Sequence, residues 1–207
     1  YPNRITKYYF LTIFIISYIV SVLFAYAMDI TLLIVITVST LIWTLYGHPK
    51  WSLKIYPIIG GFLHFSALLC HQLLAWKLWS TLSIDAVIFS VIFALFATAG
   101  YYFGLIEDYN YENTPQITSK AKLSLFSSIT FCLAYISLFL MEYRLYSHTL
   151  TQVIIIIAPL IQLSYLAKIS RKAKKAQTNS LLIQYRNAYY GIFLCILMLV
   201  TKQHWLG

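Results

Sequence analysis

The sequence predicts an all-α protein, a polytopic transmembrane bundle of about seven helices, and three observations predict it. Of 207 residues, 60% are hydrophobic and only 10% are charged, against about 25% charged in an ordinary soluble domain. So few charges cannot solvate the surface of a chain this size, so lipid must cover most of it. The apolar residues are also gathered into runs close to the ~20 residues that a ~30 Å hydrocarbon core requires at 1.5 Å rise per residue. Finally, these runs lack the alternation of a barrel strand, and in lipid only helices and closed barrels satisfy their own backbone.

Seven runs qualify in order along the chain: Tyr8–Ala27, Ile30–Tyr46, Ile55–Trp76, Leu82–Phe103, Leu123–Met141, Thr149–Ala167 and Leu181–Thr201. The second is short, and the last opens on polar Gln184, Arg186 and Asn187. Gly60-Gly61 in the third run favours a close helix–helix approach. Pro159 in the sixth predicts a kink, because proline removes one helical hydrogen bond. The whole chain, 1–207, reads as a single transmembrane domain with no internal repeat.

Alternating helices divide the loops between two faces, and charge tests that division. One face holds Arg4, Lys7, Lys50, Lys54, Lys120, Lys122, Lys168, Arg171, Lys172, Lys174, Lys175 and Arg186; the other holds only Lys77, Arg144 and Lys202. Twelve against three is a strong positive-inside bias, which assigns the first face to the cytoplasm. The net charge of +9 therefore points to topology and anionic membrane lipids rather than to nucleic acid. The loops of that face are also the longer and more polar ones, where function concentrates. Cys70, Cys132 and Cys195 sit singly inside apolar runs with no paired spacing, as small packing residues. Tyr1 to Lys7 does not present the basic, apolar and small-residue cleavage regions of a signal peptide in order.

Chemistry concentrates in two loops of the basic face. Between Gly104 and Lys122 lie three of the six acids, Glu107, Asp108 and Glu112. If the fourth helix extends beyond the membrane, Asp108 and Glu112 are i and i+4 on one helix face. Two carboxylates so placed suit a hard cation such as Mg²⁺ that bridges to phosphate oxygens, with Lys120 and Lys122 as anion partners; the plainer reading is a solvated helix end. The second loop, Tyr46 to Pro57, brings Lys50 and Lys54 between two prolines, or is an interfacial belt of Trp and Tyr. Lys168–Lys175 reads as an anchor on anionic lipid. His64 and His71, seven apart on the third helix, are either an intramembrane ligand pair or packing residues.

Together these segments resemble the UbiA superfamily of membrane prenyltransferases. One cytoplasmic loop of that family reads roughly Y-S-x-P-P-x-R-L-K-R-x-P, and Tyr46, Pro49, Leu53, Lys54 and Pro57 stand in register with it; Lys50, Ser52 and Ile55 depart from it. The family's second acidic motif, roughly D-x-x-D-x-E-G-D, is echoed by Asp108 and Glu112, with Leu105 where an earlier acid stands, and Ile117-Thr118 resemble the run that follows. Asn3 to Thr6 resembles the stretch before the family's third helix. The likeness spans the whole chain as helices three to nine of nine, with the first two helices, and the first acidic motif between helices two and three, expected ahead of Tyr1.

The resemblance implies a Mg²⁺-dependent transfer of an isoprenyl group from a prenyl diphosphate to a hydrophobic aromatic or alcohol acceptor dissolved in the membrane. It implies Asp108 and Glu112 as metal ligands and Lys50, Lys54, Lys120 and Arg4 as diphosphate-binding residues. Half the family's metal ligands would lie outside this chain, so the chain alone is expected to be inactive: either the natural protein is longer, or the chain is a degenerate homologue. The competing reading is a non-enzymatic membrane bundle, a scaffold or a transporter-like protein.

Overall fold

The computed structural model describes residues 4–47, 53–79, 81–111, 119–145 and 149–171. Among these there are six α-helices and no strand: α1 (Arg4–Met28), α2 (Ile30–Gly47), α3 (Pro57–Trp79), α4 (Ile84–Tyr111), α5 (Lys120–Leu145) and α6 (Thr149–Arg171). They correspond one to one with the first six apolar runs; the seventh run, Leu181–Thr201, lies outside the described residues. Among the described residues four helices are long and apolar enough to cross a membrane, over Ile30–Gly47, Pro57–Leu78, Ile84–Ile106 and Lys122–Met141, and α1 and α6 contribute apolar stretches over Thr12–Met28 and Ile156–Tyr165.

Short polar signals set the helix starts. Asp29 caps α2, its Oδ1 accepting the Thr31 backbone N–H at 2.6 Å. Ser83 and Ser119 do the same for α4 and α5, accepting from the N–H groups of Ala86 and Lys122 at 3.1 and 3.4 Å. Each satisfies one of the orphan donors that a helix start leaves. α3 begins at Pro57 rather than Ile55, because a proline suits the first helical position and disfavours helical geometry in the residue before it. Leu53–Ile55 forms a 3₁₀ turn there instead. α6 runs on through Pro159.

The helices pack in chain order, each against the next. The best-buried contact is α4 on α5, where Ile92, Phe96, Ala99, Phe131, Ala134, Tyr135 and Leu138 form the core. Small residues let these backbones approach, close enough for the Ser127 hydroxyl to donate to the Ala99 carbonyl at 3.1 Å. Tyr135 donates in turn to Gln162 Oε1 of α6 at 3.1 Å, both side chains being buried. Elsewhere hydroxyls bond back to a carbonyl one turn earlier, as Ser90 does to Ala86 and Thr98 to Ala94. That habit lets polar side chains sit in apolar helices. By contrast Ile13, Ile16, Val20, Leu23 and Phe24 of α1 are all exposed, an outer surface suited to lipid.

An ion pair marks one end of the bundle. Lys77 Nζ, near the end of α3, lies 3.0 Å from Asp29 Oδ2 in the turn between α1 and α2. α1 therefore ends, α2 begins and α3 ends at one level, as strict alternation requires. The Thr31 backbone donor, with Lys77 beside it, holds the Asp29 carboxyl down at about 2.

Candidate functional site

At the opposite end of the bundle the 3₁₀ turn that carries Lys54 packs against α4, the helix that carries Asp108. α4 is 28 residues long, ~42 Å by its rise, more than a hydrocarbon core needs. Its apolar span ends at Ile106, and the helix carries on through Glu107 and Asp108 to Tyr111. The extension that would align Asp108 with Glu112 is therefore present as far as Tyr111; Glu112 itself lies outside the described residues, as does Lys50. Lys120 is the first residue of α5 and Arg4 the first of α1, so by alternation both stand at the same end as Asp108.

A specific contact ties the basic loop to the acidic helix. The Tyr101 hydroxyl of α4 donates to the Lys54 backbone carbonyl at 2.7 Å, fixing the 3₁₀ turn against α4. Two glycines make room for it. A Cβ on Gly60 would run into that Tyr101 hydroxyl and sit 3.0 Å from the Lys54 carbonyl oxygen. One on Gly61 would overlap the Tyr102 hydroxyl and lie 2.6 Å from its Cζ. The close approach expected of Gly60-Gly61 is thus specifically a pair of slots for two tyrosines. Tyr101 stands seven residues, or ~10 Å, before Asp108 on α4, on nearly the same helix face.

Aromatic rings line the membrane side of this junction. His64 of α3 stacks on Tyr101 with ring centroids 5.1 Å apart, and Trp43 and Tyr46 of α2 approach its ring at 5.9 and 6.0 Å. His71, seven residues further on, stacks on Trp43 at 6.0 Å. The two histidines therefore share a tryptophan as packing partner. No group of three or more His, Cys, Asp or Glu side chains that could hold a metal ion occurs among the described residues. His64 Nδ1 is buried with no hydrogen-bond partner among them.

Trp43 and Tyr101 carry no signal in sequence, because an aromatic inside an apolar run reads as core or belt. Tyr101 could have been found only from its spacing to Asp108, and Trp43 only from its spacing to Tyr46. Cys70 and Cys132 are free and half-buried, as expected of packing residues; Cys195 lies outside the described residues. At the end of α6, Lys168 Nζ stands 5.6 Å above the Tyr165 ring.

No protein-family model, curated protein or solved structure matches the chain.

Proposed function

We propose that this chain carries the diphosphate-binding face of a membrane prenyltransferase of the UbiA kind. The observation that carries the reading is the Tyr101–Lys54 hydrogen bond. It fastens the turn that carries Lys54 to α4, the helix on which Asp108 stands seven residues further on. With the positive-inside bias, that end of α4 faces the cytoplasm, where a water-soluble diphosphate head is available.

The reaction breaks the bond between the first carbon of the isoprenyl chain and the diphosphate oxygen, which keeps the electron pair. The allylic cation left behind is captured by a ring carbon or hydroxyl oxygen of the acceptor, which then gives up a proton. Lys50, Lys54, Lys120 and Arg4 hold the departing diphosphate, and Asp108 and Glu112 would hold Mg²⁺. When bound, that ion neutralises the charge that builds on the leaving group. The faces of Trp43, Tyr46 and Tyr101 are electron-rich and attract a cation, and the surrounding apolar helices keep water from quenching it. Tyr101 would act as a positioning residue, since its hydroxyl is spent on the Lys54 carbonyl.

The test is prenyl transfer in membranes bearing the full-length protein. Asp108→Asn and Glu112→Gln should each lower transfer by at least about 100-fold, the scale of losing a preorganised charge-stabilising group, with unchanged membrane yield. Chelation of divalent ions should do the same to the parent protein. Wild-type turnover in both variants would overturn the assignment of Asp108 and Glu112, and no transfer by the parent protein would leave a bundle that binds rather than transforms its ligand.

A further inference from the structure

A cavity of about 290 Å³ lies between α1, α2 and α3, bordered by His71, whose ring stacks on Trp43 of the junction just described. Ser17, Tyr18, Ser21, Ser39, Thr40, Cys70 and His71 line it among apolar neighbours, and no charged residue does. Ser39 stands nine residues from Ile30 and eight from Gly47, ~14 and ~12 Å along α2, so the cavity sits at mid-depth of that helix.

Hydroxyl groups at such a depth normally silence their proton on the preceding turn. Ser21 and Thr40 do so, donating to Ser17 O at 2.8 Å and Ile36 O at 2.9 Å, which leaves their oxygens as acceptors. Ser39 does not. It is only 5% exposed, and its Oγ has no hydrogen-bond partner among the described residues. An unpaired buried hydroxyl is destabilising, because the group has been stripped of water without replacement. Its place on the wall of a cavity, beside two acceptors and an imidazole, calls for a partner that both donates and accepts.

We propose that this cavity binds the neutral hydroxyl headgroup of a molecule dissolved in the membrane, an alcohol or a phenol. One hydroxyl accepts from Ser39 and donates to Ser21 or Thr40. The absence of charge on the wall disfavours an ionic head, which would be buried without compensation. The volume lies just under the ~300–1,000 Å³ of pockets that hold whole small molecules, which suits one ring or chain end with the remaining tail in lipid. The exposed apolar face of α1 gives such a tail its surroundings. His71 lies fourteen residues, ~21 Å, along α3 from Pro57, so this site is distinct from the diphosphate end and does not rest on the transferase reading.

The experiment uses the full chain in phosphatidylcholine nanodiscs with photoreactive probes. An alkylphenol and an alkanol, each with a diazirine near the hydroxyl, are compared with their methyl ethers by peptide mapping of the crosslinks. A hydroxyl probe should label the Ser17–Ser21 or Cys70–Leu74 segment about fivefold more than its ether, the weight of one net hydrogen bond. Whichever hydroxyl probe labels more strongly identifies ring or chain as the natural head. Ser39→Ala should abolish the preference for hydroxyl over ether, whereas Asp108→Asn and Ser90→Ala should preserve it. Ser39→Ala removes an unsatisfied group, so its fold is not at risk. Equal labelling by hydroxyl probe and ether, as a water-filled crevice would give, overturns the proposal, and so does an undiminished preference in Ser39→Ala.

Discussion

The two halves of α3 solve opposite problems. Its first turns, at Gly60 and Gly61, have no side chain at all, yet the space is filled by Tyr101 and Tyr102. Its later turns, at Cys70 and His71, carry side chains of ordinary size and border a cavity. In the first half the polar atom brought inside is satisfied, the Tyr101 hydroxyl on the Lys54 carbonyl. In the second, across the cavity, Ser39 is not. Small residues thus mark where another element comes close rather than where space is left over. Empty space lies instead beside side chains of ordinary size, on a wall that includes one buried hydroxyl without a partner among the described residues.

That contrast can be broken most forcefully at Gly61. Gly61→Ala should destabilise the protein by about 1–3 kcal/mol, the usual penalty for overpacking a filled site, measured by reversible unfolding in mixed micelles. Adding Tyr102→Phe should recover part of the loss, the ring carbon at 2.6 Å keeping the rest. If Gly61→Ala is silent, the first half of α3 is as loose as the second.

A smaller effect sharpens the other side of the comparison. Ser127→Ala removes the hydrogen bond to Ala99 and should cost about 0.6 kcal/mol, the average for interhelical bonds in lipid. Ser39→Ala removes a hydroxyl that has no partner and should leave stability unchanged or slightly raised. A loss at Ser39 equal to that at Ser127 would mean that Ser39 is bonded within the folded chain.

The smallest effect belongs to the far end of α3. Asp29 is held at about 2 by the Thr31 N–H and Lys77, below the ordinary carboxylate value of about 3.9. A depressed carboxyl contributes stability that is fully present above the ordinary value and lost as pH falls toward the depressed one. Thermal unfolding should therefore show a shallow loss between about pH 4 and pH 2. Asp29→Asn should flatten that part of the profile, and a profile of unchanged slope would remove the ion pair from the account.

Much of the architecture is legible in sequence because lipid imposes so few solutions. Run length and the lack of alternation suffice for α1 to α6 in order, and Asp29, Ser83 and Ser119 are ordinary cap residues. The helix ends are less legible: α4 continues past Phe103 to Tyr111 and α5 starts at Lys120 rather than Leu123. Hydropathy locates the hydrocarbon boundary, whereas a helix goes on as long as its backbone bonds do. Of the candidate site, Lys54, Lys120, Arg4 and Asp108 stand on elements that end at one face, as charge alternation implies. The Tyr101 clamp and the exposed need of Ser39 were not legible. Both depend on which residue of one helix faces which residue of another, and that register is absent from any single helix's pattern.

Packing in chain order also bears on how the protein is made. Each described helix packs on its neighbours in sequence, so no helix must wait in the bilayer for a distant segment. Contacts of low sequence separation form quickly, and here the partners become available in the order of translation. The Asp29–Lys77 pair reaches back past α2 to the turn after α1. It can close only when α3 has emerged in full, making it a latch on the first three helices before α4 delivers Tyr101 to the other end.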